Sequence, residues 1–218
     1  MSVVSSIFNQ AWQISAVQTM DDADYNQYVT DVYKTYFTFN VLVCTILICG
    51  SELIGKILFS GEYFVAWSYV PVLLVAILFS GLSGGMQPIF TARKRTLALF
   101  YSTMCGAILN LAMNFVFIPR YGVMAAAITT AVGFFAAFMV RDICVRKFFG
   151  IKLNGSREVA LLGLLVAQAF TMCIPCALRY PLQAVSVVSV LAFCYKDIKK
   201  LIGKFLPKIL TIVRRNKK

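Results

Sequence analysis

TLALFYSTMCGAILNLAMNFVFIP, residues 96–119, contains no charged side chain, and after Arg120 the stretch YGVMAAAITTAVGFFAAFMV, residues 121–140, contains none either. A bilayer core about 30 Å thick is crossed by roughly 20 apolar helical residues, since each residue adds 1.5 Å. A lone charge at the middle of such a helix costs about 2.5–3.5 kcal/mol on insertion scales. The two stretches therefore predict a pair of membrane-spanning helices joined by a tight turn at Pro119 and Arg120.

The rest of the chain repeats this pattern of uncharged stretches. Apolar residues make up 60% of the 218 residues and charged residues 14%, whereas soluble domains are near a quarter charged. A soluble fold of this size leaves too much surface in water to cover so many apolar side chains. We therefore expect an all-α integral membrane protein with about six transmembrane helices. The four further uncharged stretches are Thr35–Ser51, Tyr63–Ala92, Val159–Leu178 and Tyr180–Tyr195.

The basic residues predict the orientation. If the six spans alternate, only Lys56, Arg120 and Arg179 of the 21 Lys and Arg residues fall on one side. The side rich in Lys and Arg is cytoplasmic in polytopic proteins, so we expect the N-terminus and the C-terminal tail in the cytoplasm. Without a soluble basic face, the net charge of +12 indicates membrane lipid and not nucleic acid as the partner.

Three regions are expected. Residues 1–34 would hold a partial span and a cytoplasmic acidic loop, residues 35–195 the six-span membrane domain, and residues 196–218 a basic tail. Apolar residues in the tail recur at helical spacing opposite lysines, which is typical of an amphipathic helix lying among lipid headgroups; a disordered polybasic tail is the alternative. The apolar positions are Ile198, Leu201, Ile202, Phe205, Leu206, Ile209 and Leu210.

Little in the chain predicts catalysis. It has no histidine, which removes histidine-dependent zinc sites and catalytic dyads, and it has no Gly-rich phosphate loop. Cys173-Ile-Pro-Cys176 has the spacing of a thiol–disulfide exchange motif, but two buried thiols beside a helix-bending Pro175 fit better. We expect no enzyme activity, cofactor or metal site.

Polar side chains within the spans are the best candidates for a substrate cavity. Amides are costly in hydrocarbon unless they face protein or water. They could instead form interhelical hydrogen bonds, each contributing roughly 0.6–2 kcal/mol, and both interpretations stay open. The candidates are Asn40, Gln87, Asn110, Asn114 and Gln168.

Small residues mark the expected helix-packing faces. Gly81 and Gly85 are four residues apart in the second span, and Gly122 and Gly133 belong to the fourth. Such spacing lets two helix backbones approach closely.

The segment Asn110–Gly133, NLAMNFVFIPRYGVMAAAITTAVG, resembles a hairpin motif of bacterial polysaccharide flippases in the multidrug/oligosaccharidyl-lipid/polysaccharide exporter superfamily. That motif reads N-L-x-x-N-x-x-x-I-P-x-x-G-x-x-G-A-A-I-A-T, and Ala125 stands here where its second glycine is usual. Tyr63–Pro71 and the basic loop that starts at Arg141 are similar to flanking parts of the family. The matching positions are Asn110, Leu111, Asn114, Ile118, Pro119, Gly122, Ala126, Ala127, Ile128 and Thr130.

The resemblance implies a function and a missing part. Flippases of this kind have about fourteen spans in two lobes, and residues 2–154 resemble only part of the second lobe. The complete protein would move a polyprenyl-pyrophosphate-linked sugar repeat unit across the bacterial plasma membrane for O-antigen, lipopolysaccharide or capsule synthesis. Its expected partners are membrane lipid, the lipid-linked oligosaccharide, and the missing N-terminal lobe or another copy of the chain.

Two other functions stay open. One is a non-transporting scaffold subunit of a glycan assembly complex. The other is a drug or cation antiporter of the same superfamily, which should carry carboxylates well inside its spans.

Overall fold

The structure is a computed structural model that describes residues 12–16, 18–19, 24–58, 61–153, 155–173, 179–195 and 199. Every regular element in these residues is helical. From residue 24 onward, the elements in chain order are α1 (Tyr25–Cys49), α2 (Ser51–Leu58), a 3-10 helix (Gly61–Tyr69), α3 (Val70–Gly85), α4 (Gln87–Ala92), α5 (Thr96–Phe149), α6 (Ser156–Cys173) and α7 (residues 179–195).

Among the described residues, three helical segments are long and apolar enough to cross a membrane: Tyr25–Cys49, Phe64–Ala92 and Thr96–Phe149. The described part of the chain thus has the all-helical, apolar character that the sequence predicts. The 18 residues of α6 and the described part of α7 are not among these three.

The longest segment, α5, is a helical hairpin. Its helical geometry breaks at Gly122, where φ is 61° and ψ is −143°, a conformation that is essentially confined to glycine. We call residues 96–121 the first leg and residues 123–149 the second leg. Ser102 contacts Arg141, and Asn114 contacts Thr129. These pairs are nearly symmetric about residues 121 and 122, so the legs are antiparallel.

The first helix begins earlier than predicted. Asp24 immediately precedes α1, and the helix starts at Tyr25, so residues 25–34 are helical and the prediction of a loop there is wrong. The physical reason is burial, because Tyr25, Val29, Tyr33 and Phe37 recur every four residues and are at most 3% exposed. One buried stripe favours helix over loop. Asp21 and Asp22 lie outside the described residues.

The predicted span 63–92 is one apolar stretch but not one continuous α-helix. Its start is the 3-10 helix, and the chain breaks again at Met86, between α3 and α4. Helices α3 and α4 each have a proline in their first two positions, Pro71 in α3 and Pro88 in α4. Proline is tolerated there because the first helical N–H groups have no intrahelical partner.

Helix α3 packs antiparallel on α1. The Tyr36 hydroxyl donates a hydrogen bond to the Gly81 carbonyl at 3.0 Å, and a Cβ on Gly85 would lie 2.6 Å from the Tyr36 ring. At the other end of the pair, Cys44 contacts the Leu74 carbonyl. Gly85 is therefore needed where the tyrosine ring crosses α3.

The three basic residues that the sequence separates from the others lie at one end of the bundle. Lys56 and Arg179 both pair with Glu52, at 3.0 Å and 2.6 Å. Arg120 lies at the tip of the α5 hairpin. Ile128, just beyond the tip, lines a crevice with Val72 near the start of α3, so the tip is at the same end of the bundle as Lys56 and Arg179.

The opposite end carries basic residues from the other group. The guanidinium of Arg93 lies over the Tyr25 ring at 4.9 Å and over the Phe149 ring at 5.8 Å. Tyr25 starts α1, whereas Glu52 follows its end, so the two basic groups are a helix length apart. Arg95, over Phe148 at 5.1 Å, is at the Arg93 end as well.

Several predictions fall on residues that the structure does not describe. Of the amphipathic tail, the structure describes only Lys199, and it does not describe Cys176 of the Cys-x-x-Cys motif.

Candidate functional site

A cleft of about 650 Å³ opens between α3 and the two legs of the hairpin. Its lining comes from three helical faces, and small or polar residues predominate. The lining residues include Ser83 and Gly84 of α3, Thr103, Gly106, Ala107, Asn110 and Leu111 of the first leg, and Gly133, Phe134, Ala137 and Arg141 of the second.

Two glycines close the hairpin beneath this cleft. A Cβ on Gly106 would lie 2.5 Å from the Gly133 carbonyl oxygen, and a Cβ on Gly133 would lie 2.9 Å from the Asn110 Cβ. Neither contact is tolerable for a real side chain. The legs therefore meet backbone to backbone, which is the packing that small residues permit in membranes.

Asn110 and Asn114 join the two legs. The Asn114 amide donates a hydrogen bond to the Asn110 side-chain oxygen at 2.6 Å, and the Thr129 hydroxyl donates to the Asn114 side-chain oxygen. Asn110 lines the cleft, but Asn114 is not among its lining residues. One chain of hydrogen bonds, from Thr129 through Asn114 to Asn110, thus ties the second leg to the first and ends at the cleft.

Arg141 holds the polar end of the cleft together. Its Nε donates to the Ser102 hydroxyl at 2.9 Å, its Nη1 to the Ser83 carbonyl at 2.9 Å, and its Nη2 to the Thr103 hydroxyl at 2.8 Å. One side chain on the second leg thereby binds both α3 and the first leg. All three acceptors are neutral.

Sequence reasoning missed Arg141 as a site residue, because its position just after an uncharged span suggests simple headgroup proximity. A usable signal was present, however. Counting outward from the predicted turn at Pro119 and Arg120 places Arg141 opposite residue 98, about one helical turn from Ser102 and Thr103, whose hydroxyls are natural partners for a guanidinium.

The remaining cavity candidates lie elsewhere. Asn40 is buried on α1, donates to the Tyr36 carbonyl at 2.9 Å, and faces the position that a Cβ on Gly81 would occupy. Gln87 is exposed at the start of α4. Neither residue lines the cleft.

Gln168 belongs to a buried amide cluster between α6, α7 and α1. It donates to the Gln183 side-chain oxygen at 3.0 Å and to the Thr45 carbonyl at 3.3 Å, and Gln183 donates back to the Gln168 carbonyl at 2.9 Å. Gln183, which the sequence did not single out, is 4% exposed. Buried amides of this kind stabilise a particular helix arrangement when they find partners.

The other motif residues are found at the hairpin tip and on the second leg. Pro119 comes three residues before the break at Gly122, and no atom lies within 4 Å of a Cβ placed on Gly122. Residue 122 must therefore be glycine because of its backbone conformation and not because of crowding. Ala127 is buried, and the Ala126 carbonyl accepts a hydrogen bond from the Thr130 hydroxyl at 2.7 Å.

A second charged cluster lies at the end of the bundle that contains Glu52. Arg179 bonds Glu52 at 2.6 Å, lies over the Trp67 ring at 5.3 Å, and donates to the Tyr180 hydroxyl at 3.1 Å. A Cβ on Gly55 would lie 2.6 Å from the Trp67 Cβ, so glycine is needed for the indole to reach the arginine. The cluster joins α2, the 3-10 helix and α7.

In the described residues, no three Cys, Asp or Glu side chains are grouped to hold a metal ion. No family model, curated protein or solved structure matches the chain.

Proposed function

We propose that the chain forms one lobe of a flippase that translocates polyprenyl-pyrophosphate-linked sugar repeat units across the bacterial plasma membrane. The lobe has six spans, with both ends in the cytoplasm, and acts with an N-terminal lobe or with a second copy of the chain. It performs no covalent chemistry.

The observation that carries this proposal is the hairpin. Three residues of the flippase-like motif support the hairpin: Gly122 at the reversal, Asn114 in the hydrogen bond to Thr129 of the second leg, and Asn110, which accepts a hydrogen bond from Asn114. The motif therefore corresponds to one physical unit in this chain. That correspondence is more specific than a general likeness in apolar composition.

The exposed apolar surface of the hairpin also favours a second lobe. Only Ser102 and Gly106 are buried on the first leg, whereas Phe100, Leu111 and Phe115 are each more than half exposed. Alternating access in transporters needs two lobes that rock about a site near the membrane midplane. The cleft beside the first leg would then form one wall of that site.

Complementation tests the proposal. The chain is expressed in a flippase-null cell alone and together with the N-terminal lobe of a polysaccharide flippase. We expect surface polysaccharide only with co-expression. Full restoration by the chain alone would point to a transporter built from two copies, and no restoration with any lobe would contradict the proposal.

Matched asparagine variants separate the two roles of the polar chain. Asn110→Leu removes a cleft-lining amide, whereas Asn114→Leu removes the bond to Thr129 on the second leg. We expect Asn110→Leu to lower transport at a normal membrane level, and Asn114→Leu to lower the protein level with it. Equal loss of protein in both variants would assign Asn110 to helix packing alone.

A further inference from the structure

Arg141 carries a positive charge that its described neighbours do not neutralise. Its three hydrogen bonds go to Ser83, Ser102 and Thr103, all through neutral oxygens. Among the residues that the structure describes, no carboxylate bonds to it, since the adjacent Asp142 pairs with Arg146 at 2.7 Å. Charges within or beside membrane helices are normally matched by a partner of opposite sign.

The guanidinium also has donors to spare. Arginine has five N–H groups in a planar fork, and three of those on Arg141 are used by the bonds just described. One N–H on each of Nη1 and Nη2 is left for a ligand. Because the three protein bonds hold the side chain in place, a ligand that bonds to it meets a preorganised donor pair. Phosphate oxygens match such a pair in geometry and charge.

The cleft continues from this charged end into an apolar floor. Ala107 and Leu111 of the first leg and Phe134 and Ala137 of the second line the same space. A free anion would leave this floor uncovered. A molecule with a phosphate at one end and a hydrocarbon chain at the other would cover both parts.

The position of the cleft in the bundle fits such a molecule. Arg141 is eight residues before the last residue of the second leg, about 12 Å along the helix axis. Arg93 and Arg95 are at that same end and make it electropositive. Clusters of this kind attract anionic lipid headgroups.

We propose that the cleft binds a lipid phosphate, with Arg141 holding the phosphate and the hydrocarbon chain lying over Ala107, Leu111 and Phe134. Two sources carry this chemistry, a membrane phospholipid such as phosphatidylglycerol and a polyprenyl diphosphate. The inference does not depend on transport, because a phospholipid would occupy the cleft of a non-transporting protein equally well.

The test measures lipid retention by the full chain. The detergent-solubilised protein is titrated with phosphatidylglycerol, and native mass spectrometry gives the fraction bound. Arg141→Gln should weaken binding about tenfold, since it removes hydrogen bonds from a charged donor. Lys147→Gln is the matched control, because it removes one exposed charge from the same leg outside the cleft. It should change binding less than about twofold.

A second variant keeps the proposal testable if Arg141→Gln fails to fold. Ala107→Phe fills the floor from an exposed position and leaves the three bonds of Arg141 intact. It should also weaken retention about tenfold. Wild-type retention by Ala107→Phe, or equal loss in Lys147→Gln, would overturn the proposal, because binding would then be elsewhere or electrostatic and unspecific.

Competition identifies the source. Undecaprenyl diphosphate is added to the phosphatidylglycerol complex of the wild-type protein, with inorganic phosphate added to a parallel sample. Displacement of phosphatidylglycerol by a smaller amount of the polyprenyl lipid assigns the site to the polyprenyl lipid. Retention of phosphatidylglycerol under the same conditions assigns the site to phospholipid. Equal displacement by inorganic phosphate would show a free-anion site and contradict the lipid assignment.

Discussion

At the scale of single residues, the hairpin depends on backbone conformation and on contact distance at different glycines. Gly122 adopts a positive φ with open space around it, whereas Gly106 and Gly133 have helical backbones and touch across the legs. The sequence predicts a packing role for Gly122 and Gly133 alike and does not single out Gly106. The structure separates them into a reversal and a packing contact.

The backbone conformation of Gly122 predicts a loss of stability when this residue is replaced. Gly122→Ala should destabilise the protein by about 1–3 kcal/mol, because an L side chain is strained in this region of φ and ψ. Gly163→Ala is the control, since Gly163 lies in α6 without a positive φ, and a Cβ there would have no atom within 4 Å. The control should be neutral or slightly stabilising. Thermal unfolding in detergent measures both variants, and an equal stability of the two would show that the turn is not strained.

At the scale of elements, the sequence predicted best where a turn and two apolar stretches specify one unit. The antiparallel legs of α5 follow from the uncharged stretches on either side of Pro119 and Arg120, but the chain reverses at Gly122, two residues after the predicted turn. The start of α1 was not predictable from charge, because burial of Tyr25 and Tyr33 outweighs the nearby aspartates. The same limit applies to Gln183, since its partner Gln168 belongs to another helix.

The cluster at Glu52 predicts different coupling energies for its two ion pairs. The Glu52 and Arg179 side chains are 16% and 14% exposed, whereas Lys56 is 59% exposed. A double-mutant cycle with Glu52→Gln and Arg179→Gln should therefore give a coupling energy of about 1–3 kcal/mol. The corresponding cycle with Lys56→Gln should give about 0.5 kcal/mol or less, because solvent screens an exposed pair.

Chemical unfolding in detergent provides these free energies. Similar coupling in the two cycles would mean that Arg179 does not tie α7 to α2. The stacking of Arg179 on Trp67 would then be a surface contact without a structural role.

At the scale of the whole molecule, the described helices form a bundle with its basic residues divided between two ends. Lys56, Arg120 and Arg179 lie at one end, with Arg93 and Arg95 at the other. The division that the sequence predicts from alternating spans is thus consistent with the folded geometry. Which end faces the cytoplasm follows from the positive-inside rule and stays a prediction.

We expect the α5 hairpin to cross the membrane twice, with its tip on the side opposite residues 93–95. Single cysteines at Arg93, Arg95 and Arg120, in a background without the seven native cysteines, test this topology. A membrane-impermeant thiol reagent should reach Arg120→Cys from outside intact cells, and Arg93→Cys and Arg95→Cys only after the membrane is opened. Labelling of Arg120→Cys from the cytoplasmic side alone would contradict the claim.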